Sequence, residues 1–152
     1  MRIAVEDPAA EPDVRVLLEE HLADMRANSP ACSIHALDLE ALRLPAITFW
    51  TAREDGVLLG CGALKDHADG AGEVKSMRTT PAARGRGVAA AVLAAIINEA
   101  RGRGYARLNL ETGTQDFFAP AHRLYERNGF ELCGPFADYV LDPNSRFFAL
   151  TL

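Results

Sequence analysis

A chain of 152 residues is long enough for one domain around a single hydrophobic core. Its apolar content of 49% and charged content of 24% are ordinary for a soluble globular protein. The net charge of -5 argues against a general affinity for nucleic acid, and no apolar run approaches the ~20 residues of a membrane span. We therefore expect one cytoplasmic domain over residues 1–152, with neither a nucleic-acid nor a membrane partner. The acidic balance weakly suits a positively charged substrate such as an amine.

The three cysteines, Cys32, Cys61 and Cys133, are odd in number and far apart, and no C-x-x-C pattern is present. We expect reduced thiols. Any one of them could be catalytic, but the role of a small buried residue is the stronger expectation. We expect no metal site.

The first half of the chain predicts strands and two helices. The first helix follows Pro12, buries a face from Val14 to Met25, and stops at Asn28-Ser-Pro30. A second short helix is expected within residues 33–44, with Asp38 as a possible N-cap. Strands are expected at residues 2–6, 46–53, 57–65 and 73–79, the last three as an antiparallel meander.

The second half predicts a helix over residues 88–100, ended by Gly102 and Gly104, and then a strand over residues 105–112. A strand, a helix and a strand in this order imply a parallel, right-handed crossover. Another helix is expected over residues 117–128, followed by strands at residues 130–133 and 147–152.

A loop rich in arginine and glycine, residues 80–90, joins the strand at 73–79 to the helix at 88–100. Free N–H groups at a helix N-terminus, together with the helix dipole, bind phosphate oxygens. Gly85 and Gly87 would let the backbone approach an anion, and Arg84 and Arg86 would add charge where a diphosphate would sit. The loop lacks the Gly-Lys-Ser/Thr ending of a P-loop and the Gly-x-Gly-x-x-Gly of a dinucleotide site.

Two motifs in the right order resemble those of the GNAT superfamily of acetyltransferases. The first is Arg84-Gly-Arg-Gly87-Val-Ala89, and the second, about 40 residues later, is Leu124-Tyr-Glu-Arg-Asn-Gly-Phe130. Segments such as Lys75-Ser-Met-Arg-Thr79 look like the bacterial YsnE-like N-acetyltransferases. The resemblance implies a mixed α/β (α+β) GNAT, or acyl-CoA N-acyltransferase, fold. Its central sheet would be mostly antiparallel, splayed and six- to seven-stranded, with about four helices on both faces.

In that family acetyl-CoA lies between two splayed strands, here those at residues 73–79 and 107–112. The resemblance implies that a backbone N–H near Met77 polarises the thioester carbonyl, and that the loop holds the pyrophosphate of coenzyme A. The cofactor-binding residues that it implies are Met77, Arg78, Thr79, Arg84, Gly85, Arg86, Gly87, Val88, Ala89, Phe118 and Ala121. Phe118 stands where many relatives have an asparagine that bonds the pantetheine arm, so Phe117 or Phe118 would pack against that arm or roof the acceptor site instead.

By resemblance, Tyr125 would protonate the departing thiolate. The alternative is a packed aromatic side chain on an amphipathic helix. Glu73 and Glu111, on the two splayed strands, are candidates for the base, although each could be a surface charge or a substrate contact. His35 and Asp138 are candidate acceptor contacts, and Arg78 would pair with a substrate carboxylate, with Glu111 or with Asp138.

These observations favour an acetyl-CoA-dependent N-acetyltransferase that acts on the amine of a small molecule by direct attack in a ternary complex. One rival is a protein acetyltransferase acting on a lysine or an N-terminus. The other is an acyl-CoA-binding module without catalysis. A homodimer through the last strands is an expectation from the resemblance only.

Overall fold

A computed structural model describes residues 1–152, which form one seven-stranded sheet and three α-helices. The expected mixed α/β architecture with a mostly antiparallel sheet is confirmed. In chain order the elements are β1 Arg2–Val5, α1 Pro12–Asn28, β2 Ile47–Glu54, β3 Val57–Asp66, β4 Ala71–Thr79, α2 Val88–Gly102, β5 Arg107–Gly113, α3 Ala119–Arg127, β6 Glu131–Cys133 and β7 Ser145–Thr151.

The strands lie in the order β1-β2-β3-β4-β5-β7-β6. Every neighbouring pair is antiparallel except β4 and β5, which are parallel and are joined by α2. The predicted meander of β2, β3 and β4 and the predicted crossover are therefore both confirmed. The three-residue β6 forms one free edge of the sheet. The expected dimer through the last strands stays a prediction.

The prediction of a helix within residues 33–44 was wrong. The chain has three α-helices rather than about four. One 3₁₀ turn, Ala41–Arg43, lies within this segment, and another, Ala31–Ser33, ends at its first residue. The Asp38 carboxylate does accept a hydrogen bond from the Ala41 N–H, but it caps only this short turn. Pro45 follows two residues after the turn, so a longer helix has no room.

Helices cover both faces of the sheet. On one face α1 buries Val14, Leu17 and Leu18 against Phe49 and Ala63 of β2 and β3. On the other face α2 and α3 share a larger cluster of 18 buried residues with the sheet. A Cβ at Gly62 would lie 2.7 Å from Val92 of α2, so glycine is what lets α2 approach the sheet this closely. No helix combines the length and the apolar character needed to cross a bilayer.

The three cysteines are free thiols with different environments. Cys61 is buried on β3, as expected of a small apolar residue, whereas Cys32 and Cys133 are exposed. The expectation of burial therefore holds for one of the three.

The sheet opens between its two parallel strands. Their pairing runs only from Ala71 with Arg107 to Glu73 with Asn109, although both strands continue beyond it. On its other side β4 carries a bulge, where the register to β3 shifts and Ser76 takes a φ of 55°. The split leaves one edge of β4 without a neighbouring strand from residue 74 onward.

Candidate active site

A cavity of about 740 Å³ fills the split between β4 and β5. This volume lies within the range of small-molecule sites. The loop after β4 lines one end, α3 lines a side, and the other end is formed by α1, the segment around Ser33 to Ala36, and the facing strands.

The loop before α2 offers a set of unused backbone donors. The N–H groups of residues 85–90 donate no hydrogen bond within the chain, and the first intrahelical bond runs from Ala91 to Gly87. Gly85 and Gly87 both have a φ of 77°, a left-handed conformation that side chains other than glycine rarely adopt. Free donors at a helix N-terminus are suited to bind an anion, and the role of this loop at the diphosphate of coenzyme A stays a prediction.

The two arginines of this loop differ in placement. Arg84 lines the cavity together with Gly85, Gly87, Val88 and Ala89. Arg86 does not line it, because its guanidinium pairs with Glu54 at the end of β2. Of the two arginines, only Arg84 lies at the cavity, and its role at a diphosphate stays a prediction.

Met77, Arg78 and Thr79 line the cavity along the open edge of β4. An extended ligand can pair with such an edge as an added strand would. Arg78, however, forms a salt bridge with Asp24 of α1 rather than with Glu111 or Asp138. Its side chain is 9% exposed, and this ion pair supplies the partner that a buried guanidinium requires.

Ala121 and Tyr125 of α3 line the cavity, as does Phe118, which directly precedes this helix. The ring of Tyr125 packs against Phe130 and Phe148, with centroids 5.6 Å and 6.2 Å away. Its hydroxyl has no hydrogen-bond partner within the chain, and the residue lines the cavity. Burial raises the pKa of Tyr125, so the phenol holds its proton at neutral pH.

Phe118 is 5% exposed and lies directly over Gly113 at the end of β5. A Cβ at Gly113 would come within 2.3 Å of the Phe118 ring, so the two residues are matched in size. Phe117 packs edge-on against Phe118 and also lines the cavity. Both rings therefore pack within the chain beside the cavity, and their predicted contact with the pantetheine arm or the acceptor stays a prediction.

Glu111 lines the cavity from β5. Its Oε2 accepts a 2.8 Å hydrogen bond from the Ser145 hydroxyl, and Oε1 has no partner within the chain. Burial raises the pKa of Glu111 to about 7, although the bond from Ser145 and the charge of Lys75 act in the opposite direction. A carboxylate with this pKa can take up and release a proton near neutral pH.

Glu73, the other candidate base, also lines the cavity but is fully engaged. Its Oε1 lies 3.0 Å from Nε2 of His67, and its Oε2 accepts bonds from Nζ of Lys75 at 3.0 Å and from the hydroxyl of Tyr139. The carboxylate is 2% exposed. Three donors hold this group in place, so it is less suited than Glu111 to exchange a proton with an acceptor.

His35 and Asp138, two of the predicted acceptor contacts, differ in their position relative to the cavity. His35 lines the cavity, and its ring meets that of Tyr139 edge-on at 4.9 Å. Burial lowers the pKa of His35, which favours the neutral imidazole. Asp138 is exposed and does not line the cavity, because the connection between β6 and β7 turns its neighbour Tyr139 inward instead.

The structure adds cavity residues that the sequence interpretation missed. Arg123 and Arg127 of α3 line it, and their spacing of four residues on a helix was a signal for one shared face. Lys75 lines it from β4, and its alternation with Glu73 already placed both on one face. Ser33, another lining residue, donates a hydrogen bond of 2.6 Å to Asp142, which is 109 positions away, so no local sequence signal indicated this contact.

The model of the acetyltransferase (GNAT) family matches residues 14–130. The chain belongs to the GNAT family of acetyltransferases. The match includes the strand–loop–helix unit and α3, the elements that build most of the cavity.

This GNAT acetyltransferase has close relatives over its whole length. It is 52% identical over 152 residues to the uncharacterised N-acetyltransferase YsnE of Bacillus subtilis, covering 100% of both chains. It is 49% identical over 146 residues to the uncharacterised N-acetyltransferase YedL of Escherichia coli, covering 96% of this chain and 92% of the relative. An IAA acetyltransferase of Azospirillum brasilense is 41% identical and is aligned over 95% of this chain and 94% of its own. The resemblance to YsnE-like proteins is thereby confirmed.

Solved structures agree with this fold. A candidate acyl-CoA N-acyltransferase of Klebsiella pneumoniae superposes with a TM-score of 0.83 at 30% identity, over 99% of this chain and 97% of that one. The N-acetylglutamate synthase of Neisseria gonorrhoeae, solved with coenzyme A and N-acetyl-glutamate, superposes with a TM-score of 0.73 at 21% identity. It covers 100% of this chain and 35% of that one, and it supports the fold alone.

Proposed function

We propose that this GNAT protein transfers an acetyl group from acetyl-CoA to the amine of a small molecule, by direct attack within a ternary complex. The observation that carries the proposal is the cavity itself. It joins unused helix N-terminal donors at one end to a carboxyl group of near-neutral pKa at the other.

The residues present fit coenzyme A. The N–H groups of residues 85–90 and the charge of Arg84 would hold the diphosphate, and the open edge of β4 at Met77 to Thr79 would pair with the extended arm. Arg123 and Arg127 would add positive charge along α3. When bound, acetyl-CoA supplies a thioester carbonyl carbon, to which the amine nitrogen forms a bond as the carbon–sulfur bond breaks.

Two protein groups would move the protons. Glu111 would remove one proton from the incoming ammonium, leaving the nitrogen lone pair free to attack, and would pass that proton to solvent. Tyr125 would give its hydroxyl proton to the departing sulfur and regain one from the amide nitrogen as the product forms. The backbone N–H near Met77 would stabilise negative charge on the carbonyl oxygen.

Two contacts between chain segments beside the acceptor end favour a small acceptor over a peptide. The bond from Ser33 to Asp142 ties the turn after α1 to the connection between β6 and β7. A second contact between the same two segments is the edge-on packing of His35 against Tyr139. A protein lysine acetyltransferase would need an open groove where these residues meet.

A panel of small amines, incubated with acetyl-CoA and followed by mass spectrometry, tests the proposal. We expect N-acetylated products whose yield falls sharply in Tyr125→Phe and Glu111→Gln. Acetylation of intact proteins but of no small amine would favour a protein acetyltransferase. Tight binding of coenzyme A without transfer to either class would favour a binding module.

A further inference from the structure

Lys75 and Glu111 occupy matching positions on the two strands that separate. The last parallel pair is Glu73 with Asn109, and each residue of interest lies two positions further along its own strand. Side chains two residues apart share a face, so Lys75 and Glu111 stand on the same face of the sheet, one on each side of the split. Both line the cavity.

Each of these side chains has an unused hydrogen-bonding position. The Lys75 ammonium has three N–H groups, of which one is donated to Glu73 and one to the Tyr139 hydroxyl, both at 3.0 Å. Glu111 accepts from Ser145 through Oε2, and its Oε1 is free. One cationic donor and one carboxylate acceptor therefore remain at the same end of the cavity.

The other acids near this end are already partnered. Glu73 is bonded by His67, Lys75 and Tyr139, and Asp142 accepts from Ser33 and from the N–H of Asn144. A plain amine bound at Glu111 would leave the third N–H of Lys75 without a partner. A desolvated polar group without a partner weakens binding. Sites of this kind therefore favour a ligand that pairs with the group over an analogue that cannot.

We propose that the acceptor is a zwitterion, an amino-acid-type molecule whose carboxylate is bound by Lys75 while its amine is placed at Glu111. The inference rests on the proposed function, because it presumes that the acceptor reacts through an amine. It narrows the acceptor from any small amine to one that carries an anionic group beside the reacting nitrogen.

Matched pairs of an amino acid and its decarboxylated amine test the proposal, since the two differ only in the carboxylate. We expect kcat/KM for the amino acid to exceed that for the amine by about 100-fold in the preferred pair. Equal values, or a preference for the amines, would overturn the inference while leaving the proposed function standing. Transfer to neither member of any pair would overturn both.

Lys75→Met removes the charge, and Lys65→Met is its matched control. These two are the only lysines in the chain, and Lys65 does not line the cavity. We expect Lys75→Met to reduce the preference for the amino acid to below about 10-fold and Lys65→Met to retain it. An unchanged preference for the amino acid in Lys75→Met would contradict the assignment of Lys75 to the carboxylate.

Lys75→Met also removes a partner of buried Glu73, so a test that does not depend on this variant is needed. Calorimetric titration of the wild-type protein saturated with coenzyme A, with the amino acid and then with its amine, provides it. We expect the amino acid to bind at least about 10-fold more tightly. Equal affinities would overturn the inference. Lys75→Arg, which keeps the charge, should retain part of this difference.

Discussion

The hydroxyl of Ser145 donates a 2.8 Å hydrogen bond to Oε2 of Glu111 across the pairing of β7 with β5. The bond fixes one carboxylate oxygen and leaves Oε1 free at the acceptor end of the cavity. Burial raises the pKa of this carboxyl group to about 7, which suits the base role proposed for Glu111 at neutral pH.

The first prediction concerns the pH dependence of acetyl transfer. Glu111 must be ionised to accept a proton, so we expect kcat/KM to rise with pH through a limb centred near pH 7. Glu111→Gln should lower kcat/KM by about 100-fold or more and remove this limb. Ser145→Ala should move the limb to higher pH, since the lost hydrogen bond favours the ionised form. An unchanged limb in Glu111→Gln would show that another group titrates there.

The same pKa predicts a pH-dependent stability. The pKa of Glu111 is about 7 in the folded chain against an ordinary value of 4.5, so the unfolded chain ionises first as pH rises. Stability due to this group is therefore fully present below pH 4.5 and is lost as pH rises towards 7, by up to about 3 kcal/mol. Urea unfolding at pH 5 and pH 8 measures it. The free energy of unfolding of Glu111→Gln minus that of wild type should be larger at pH 8 than at pH 5. The same value at both pH values would contradict the raised pKa of Glu111.

Tyr125→Phe tests the general acid. The ring that packs against Phe130 and Phe148 is retained, so we expect little change in unfolding temperature. The loss of the proton donor should lower kcat by about 100-fold, with coenzyme A affinity nearly unchanged. Turnover equal to that of wild type at all pH values would remove Tyr125 from the chemistry.

The cysteines should divide into two classes of reactivity. Burial raises the pKa of Cys61 to about 12, and its thiol donates to the carbonyl of Ser76, whereas Cys32 and Cys133 are exposed. A disulfide-exchange reagent should therefore titrate two thiols in the native protein and the third only in denaturant. Three rapidly reacting thiols would mean that β3 opens readily at Cys61.

Much of the fold follows from local patterns in the sequence. Apolar periodicity located α1 and α2, alternation located the meander, and Gly85 and Gly87 marked the turn into α2. The exception was the segment 33–44, where the short apolar spacing is compatible with either a helix or isolated turns. A capping residue such as Asp38 does not distinguish the two, since it serves both.

The site was less predictable because its pairings are long-range. Asp24 and Glu54 are on α1 and β2, and nothing near them in sequence indicates that they take the guanidinium groups of Arg78 and Arg86. The inward turn of Tyr139 rather than Asp138 depends on how a long connection packs. The environment of Glu111 likewise depends on burial, which local sequence patterns do not encode.

Calorimetric titration with coenzyme A, comparing Arg84→Glu with Arg86→Glu, decides whether the loop before α2 holds the diphosphate. Arg84 lines the cavity, while Arg86 pairs with Glu54 outside it, so the same charge reversal is made two residues apart. We expect wild type to bind coenzyme A, Arg84→Glu to weaken binding by about 10-fold or more, and Arg86→Glu to change it by less than about 3-fold. Failure of the wild-type protein to bind coenzyme A, or unaltered affinity in Arg84→Glu, would contradict this assignment of the site.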